Sequence, residues 1–133
     1  MADGQKVAVF LHAGEYDRMH QGLSIAASAA ALGRPVEVFF FWWALERLVQ
    51  DRLDAPDLAR DDVNDRFEAR AIPTLRQLLS HLKASGKCHL YACTGSGEAL
   101  ALPVPGMIQR VDQLVGWSTI LSLTAGVTDR FYL

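Results

Sequence analysis

Short apolar strands alternate with helical segments along this chain, and that alternation restricts the possible folds more than any other feature. Residues 6–13 (KVAVFLHA) have the pattern of a buried strand, residues 16–33 that of a helix ending at Gly33, and residues 35–41 that of a second strand. Residues 42–50 (WWALERLVQ) are predicted to be helical. Asp17 is the predicted N-cap of the helix. A strand–helix–strand order is typical of a parallel α/β unit, so the first forty residues predict an α/β fold.

The second half continues the same pattern. It contains, in order, a helix at residues 72–86 with Pro73 in its first turn, a strand at 87–93, a short strand at 111–116, a helix at 117–126 and a terminal strand at 129–133. The sequence therefore predicts a three-layer α/β/α sandwich with a parallel sheet of about five strands. We expect residues 1–133 to form one domain of this kind.

One segment differs in composition. Residues 46–70 carry eight acidic and five basic residues, nearly half of all the charges in the chain. Dense mixed charge is typical of a solvated surface, and the same surface can also bind a partner. We interpret residues 46–72 as a charged helical excursion or lid within the single domain.

The net charge, the apolar stretches and the residue spacing of the chain exclude several classes of protein. A formal net charge of -2 gives no general attraction to nucleic acid or anionic lipid. The longest apolar stretch, near residues 38–45, is far too short to span a bilayer, and residues 1–6 lack a signal-peptide pattern, so a cytoplasmic location is expected. The four histidines and two cysteines show no metal-ligand spacing, so neither a metal site nor a cofactor is expected.

Cys93 is the one obvious nucleophile at the carboxyl ends of the predicted strands, where open parallel sheets bind ligands. A helix N-terminus offers unpaired N–H groups to a thiolate or a persulfide, and a glycine-rich turn could aim several of them at one sulfur. The turn in question consists of Thr94, Gly95, Ser96 and Gly97, and its polar, glycine-rich composition predicts that the Cys93 thiol is exposed to solvent. The alternative is that Cys93 is only a small residue that packs well at a strand end.

Other known functions of such a turn are excluded because residues that they require are absent. A phosphatase or rhodanese loop would place an arginine where the chain has Ala99, and neither a Walker motif nor GxGxxG is present. Cys88, near the start of the same strand, is expected to be structural. Its odd spacing from Cys93 predicts that the two side chains point to opposite faces of the sheet, which excludes a disulfide between them.

Aromatic residues concentrate near the same sheet edge. Trp42, Trp43 and Trp117 follow predicted strands, and they could form a wall around the thiol, an oligomer interface or ordinary core. His12 ends the first strand and would approach Cys93 only if the first and third strands are neighbours. These four residues are the predicted pocket.

Four stretches taken together resemble the DsrE/DsrF-like proteins of sulfur relay, most closely the branch called the DsrE-like peroxiredoxin family. They are YDRMHQGLSIAASAAALG, VEVFFFWWAL, LYACTGSG and LVGWSTIL, and they span most of the chain apart from residues 46–72. The chain departs from that branch in delaying a methionine that often follows the cysteine, here Met107.

The resemblance implies a five-stranded parallel sheet, assembly into homo- or hetero-oligomers such as trimers or hexamers, and a cysteine, here Cys93, that carries sulfane sulfur as a persulfide. The implied partners are a sulfur-donor protein and an acceptor thiol or membrane-bound sulfur enzyme. The expected function is that of a small sulfur carrier. The alternatives are a non-catalytic assembly or ligand-binding subunit and, less supported, a nucleotide- or flavin-binding protein with an unusual loop.

Overall fold

The computed structural model describes residues 5–54 and 60–133, which contain a five-stranded sheet. The strands are β1 (Val7–Leu11), β2 (Val36–Phe40), β3 (Cys88–Cys93), β4 (Gln113–Val115) and β5 (Asp129–Tyr132). They lie in the order β4-β3-β2-β1-β5, and every pairing is parallel. The predicted parallel α/β fold of about five strands is confirmed.

Seven helices occur in the described residues. They are α1 (Tyr16–Ala31), α2 (Trp42–Val49), α3 (Asp61–Ala69), α4 (Leu75–Ser85), α5 (Thr94–Ala99), α6 (Val104–Ile108) and α7 (Trp117–Thr124). The sequence predicted α1, α2, α4 and α7 but neither α5 nor α6.

Alternate residues of β1, β2 and β3 build two separate cores. Val9, Val38 and Leu90 belong to the larger core, which α1, α2 and α4 cover. Phe10 and Phe39 belong to the smaller core on the opposite face, where α7 packs. Helices therefore lie on both faces of the sheet, as a three-layer sandwich requires.

The helix ends follow local rules. Thr74 and Gln77 form a reciprocal capping box at the start of α4, and Gly86 ends that helix with a φ of 69°. Gly33 likewise has a positive φ, of 80°, after α1. The prediction that Asp17 caps α1 is wrong: Glu15 is the N-cap residue, and Asp17 lies in the first turn.

The charged excursion is partly described. Residues 55–59 lie outside the described residues. The remainder includes the second half of α2, a turn, and α3, and no residue of α3 is buried. Helix α3 has the solvated character expected of this segment, whereas Leu48 and Leu53 in the same segment are buried in the larger core.

The connection from β4 to β5 determines where a cleft can form. The chain steps from β1 outward to β4 and then crosses the whole sheet through α7 to place β5 beside β1. The strand order therefore reverses at the β1–β5 boundary, where the chain leaves β1 toward the α1 face and enters β5 from the opposite, α7 face. Open α/β sheets bind ligands at the carboxyl ends of strands at such a switch point.

Candidate functional site

Cys93 is the last residue of β3 and the N-cap residue of α5. The predicted flexible turn that follows it is helical, because residues 94–97 form the first turn of α5. Two contacts hold that turn: the Thr94 hydroxyl donates to the Val115 carbonyl oxygen over 3.4 Å, and Gly97 packs on Met107. The position of the cysteine at the end of a strand is as predicted, but a helix follows it where a flexible turn was expected.

The Cys93 side chain is enclosed. The residue is 6% exposed and belongs to the smaller core together with Phe39, Phe41, Val115 and Ile120. The expectation of a solvent-exposed thiol is therefore wrong for this structure. The reason is its position in β3, which points the side chain toward the face that α7 covers.

The first turn of α5 is nevertheless close to the sulfur. A Cβ added at Gly95 would lie 3.9 Å from Cys93 Sγ, an ordinary van der Waals distance, so this part of the turn lies beside the thiol. No side chain caps the helix, which leaves the N–H groups of its first turn without a capping partner. Of the predicted sulfur-stabilising residues, Ser96 and Gly97 are buried and Gly95 is exposed.

Cys88 lies on the other face of the sheet, packed against the larger core. Both cysteines are free, and their opposite faces confirm the prediction made from their spacing. Burial raises the pKa of the Cys88 thiol to about 12, with smaller contributions from the negative charges of Glu37 and Asp112. Cys88 is therefore a neutral thiol at physiological pH, consistent with a structural role.

The predicted pocket residues divide between two places. His12, Trp42 and Trp43 line an open cleft of about 350 Å³ at the carboxyl ends of β1 and β2, together with Tyr132. Cys93 is not among the residues that line this cleft. Because β2 lies between β1 and β3, the condition under which His12 would approach the thiol is not met.

An aromatic stack separates the cleft from the smaller core. The His12 imidazole stacks on Phe41 with ring centroids 4.5 Å apart, and Trp117 stacks on Phe41 at 5.2 Å. Burial lowers the pKa of His12 below its ordinary value, which keeps the imidazole neutral at pH 7. Trp117 therefore packs over the core near Phe41, while Trp42 and Trp43 form the cleft.

Sequence reasoning missed a buried carboxylate. Glu37 is 3% exposed on the α7 face of β2, with Lys6 Nζ 3.3 Å and His89 Nδ1 3.5 Å from one oxygen, while its Oε2 has no hydrogen-bond partner. Burial, followed by the hydrogen bond and charge of Glu37, raises the pKa of Tyr91. The sequence feature that indicates this carboxylate is the glutamate inside the otherwise apolar run VEVFF.

The described residues contain no group of three His, Cys, Asp or Glu side chains placed to hold a metal ion. Within residues 5–54 and 60–133, no helix has both the length and the apolar content to cross a membrane. No protein-family model matches this chain, and no curated protein matches its sequence.

Proposed function

We propose that this chain is a small cytoplasmic sulfur carrier in which Cys93 accepts sulfane sulfur as a persulfide and passes it to a partner thiol. The observation that supports this best is the position of Cys93, at the carboxyl end of an interior parallel strand and at the N-terminus of α5. The sequence stretches that resemble the DsrE/DsrF-like sulfur-relay proteins include this cysteine and the turn after it.

The transfer needs no cofactor and no net oxidation. The Cys93 thiolate attacks the outer sulfur of a donor persulfide, the donor S–S bond breaks, and the donor leaves as a thiolate. An acceptor thiolate then attacks the outer sulfur of the Cys93 persulfide and releases the Cys93 thiolate. Main-chain N–H groups of residues 94–97 would donate hydrogen bonds to the anionic sulfur.

Sulfur transfer requires that the enclosed Cys93 side chain become accessible to its donor. A residue that is 6% exposed among aromatic side chains cannot be reached by a protein donor unless something moves. Helix α5 is the element best suited to move, because it has six residues and two of them, Gly95 and Gly97, are glycines that disfavour helix. The carrier would exchange sulfur from a form in which α5 is open.

The second candidate is a non-catalytic, oligomer-forming subunit. Two observations favour it: the thiol is buried, and α7 exposes large apolar side chains, with Leu121 63% and Trp117 48% exposed. Apolar residues exposed together are characteristic of protein–protein contacts. A homo-oligomer such as a trimer or hexamer would cover them, and it is compatible with either candidate.

Incubation of the native protein with polysulfide, followed by intact and peptide mass spectrometry, distinguishes the two candidates. A sulfur carrier gains reducible sulfur on Cys93, Cys93→Ser loses that addition, and the matched variant Cys88→Ser retains it. Unmodified Cys93 in the native protein, with ready modification after unfolding in urea, would rule out the carrier. Light scattering on Leu121→Asp tests the assembly separately, since a loss of oligomer with unchanged circular dichroism supports an interface at α7.

A further inference from the structure

We propose that the cleft at the carboxyl ends of β1, β2 and β5 is a binding site for an uncharged planar heteroaromatic ring. The ring would stack on Trp42 or Trp43 and form hydrogen bonds with the His12 imidazole. The site does not use Cys93, so it stands independently of the proposed sulfur transfer.

The location follows from the topology. β1 and β5 are neighbours, yet the chain leaves β1 toward the α1 face and reaches β5 from the α7 face. His12 follows β1, Trp42 and Trp43 follow β2, and Tyr132 ends β5, so all four converge at this boundary. This is the place where an open parallel sheet forms a ligand crevice.

The walls of the cleft are aromatic and accessible. Trp42 is 43%, Trp43 55% and Tyr132 61% exposed, which leaves large ring surfaces open to a ligand. The two indoles are tilted by 47° with centroids 5.9 Å apart, so they do not cover each other's faces. A volume of about 350 Å³ accommodates a one- or two-ring molecule.

At the inner end of the cleft, the His12 imidazole offers one uncharged hydrogen-bond donor and one uncharged acceptor. The His12 side chain makes no hydrogen bond within residues 5–54 and 60–133, while its ring face is occupied by Phe41. A neutral imidazole presents one N–H donor and one nitrogen acceptor. Those two groups match the edge of a nitrogen heterocycle.

The charges at the cleft favour an uncharged ligand. Glu15 and Arg18 line the same cleft and pair with each other at 3.3 Å. The pair cancels in net charge, and His12 adds none because burial lowers its pKa. The cleft therefore presents no net charge to a ligand, and a solvent-exposed ion pair of this kind gives an ion little attraction.

Main-chain conformation and contacts restrain Trp42 and Trp43, which form the walls of the cleft. Trp42 has a φ of 43°, which a non-glycine residue adopts only when its surroundings impose it. Trp43 lies directly against Gly14, whose carbonyl oxygen accepts a 2.7 Å hydrogen bond from Arg47 Nη1. Such restraint reduces the entropy cost of ordering the indoles on binding.

Adenine is a suitable probe, and the indole N–H signals in ¹H–¹⁵N NMR spectra are the readout. The chain has three tryptophans, and Trp117, which lies behind Phe41, is the internal reference. We expect saturable shifts of the Trp42 and Trp43 signals with a dissociation constant below about 1 mM, and a smaller shift of Trp117. Parallel titrations use tetramethylammonium and inorganic phosphate.

Variants assign the contacts. Trp43→Leu should weaken adenine binding about tenfold, which is typical for losing one stacking partner. Trp42→Gly removes the other indole at a position whose positive φ suits glycine, so the fold is retained while binding falls. Lys83→Gln, at an exposed position of α4 that does not line the cleft, should leave the affinity unchanged.

Two results would overturn the assignment. Absence of saturable shifts with adenine up to about 5 mM means that no such site exists. Saturable binding of tetramethylammonium or phosphate without binding of adenine means that the cleft recognises a charge instead of a neutral ring.

Discussion

Gly14 lies directly against the main chain of Trp43, so that a Cβ on Gly14 would be 2.9 Å from the Trp43 carbonyl oxygen. The contact joins the turn after β1 to the first turn of α2. It is a backbone contact, which neither side can relieve by a change of rotamer. The aromatic cleft therefore depends on a glycine that is not itself part of its wall.

Gly14→Ala should destabilise the protein more than Gly97→Ala. A methyl at Gly14 meets main chain and should reduce the free energy of unfolding by about 2 kcal/mol. A methyl at Gly97 meets the Met107 thioether, 2.7 Å away, and that flexible side chain can repack, so a loss of about 1 kcal/mol or less is expected. Urea denaturation measures both, and equal losses would contradict this account of the two contacts.

Gly95→Ala should slow the chemistry of Cys93. The added Cβ would lie at ordinary contact distance, 3.9 Å from Sγ, without a clash. Alanine favours helix over glycine by about 1 kcal/mol, so α5 should open about fivefold less often. The rate of Cys93 alkylation in the native protein should fall by that factor while the rate at Cys88 is unchanged. An unaltered Cys93 rate would show that opening of α5 does not control access.

Cys88 should react only at high pH. In a Cys93→Ser background, its alkylation rate should rise about tenfold per pH unit up to roughly its pKa of about 12, because only the thiolate reacts. A plateau near pH 9 would mean that Cys88 titrates as an ordinary thiol.

The raised pKa of the Cys88 thiol also predicts that the folded protein loses stability at alkaline pH. The pKa of Cys88 is about 12 in the folded chain and 9.0 for an unperturbed thiol, so the unfolded state releases its proton first. The contribution of the neutral thiol is complete below pH 9 and is lost as the pH rises toward 12. Urea midpoints should therefore fall less steeply with pH in Cys88→Ala than in the wild type.

His12 should make the protein less stable in acid. Burial lowers its folded pKa below 6.5, so as the pH falls through 6.5 the unfolded state is protonated first and folding stability decreases. His12→Phe keeps an aromatic ring against Phe41 and removes the titrating group. The decrease in unfolding free energy between pH 7 and 5 should be smaller in this variant, and an equal decrease would place the acid sensitivity elsewhere.

Lys6 and Glu37 should be energetically coupled. Lys6→Met leaves the buried carboxylate with less compensation and should cost about 1 kcal/mol, a modest value because the lysine is 39% exposed. Replacing both residues with methionine should recover most of that loss, since no buried charge remains. A double-mutant cycle by urea denaturation tests this, and additive effects would show that the pair does not interact.

The strands and the longer helices could be predicted from the sequence because their signals are local. Valine-rich runs such as VAVFL become strands, and the leucine stripe of α4 with Gly86 after it becomes a helix with a left-handed end. Helix α5 was missed because TGSGEA has a polar, glycine-rich composition typical of a turn. Its helical form depends on contacts with Val115 and Met107, which are distant in sequence.

The enclosure of Cys93 was not predictable from local pattern either. Alternation along β3 places Cys93 opposite Cys88, and that much follows from their spacing alone. Which face α7 covers depends on how the chain returns from β4 to β5. The residues around Cys93 do not determine how the chain makes that connection.

The amino-acid sequence alone was enough to establish the class of fold, the parallel sheet and the position of Cys93 at the end of a strand, because periodicity and strand-end chemistry act over a few residues. Tertiary structure decided the strand order, the burial of the thiol, the separation of His12 from it and the convergence of Trp42, Trp43 and Tyr132 in one cleft. Those features depend on which distant segments pack together, and that packing is a property of the whole chain.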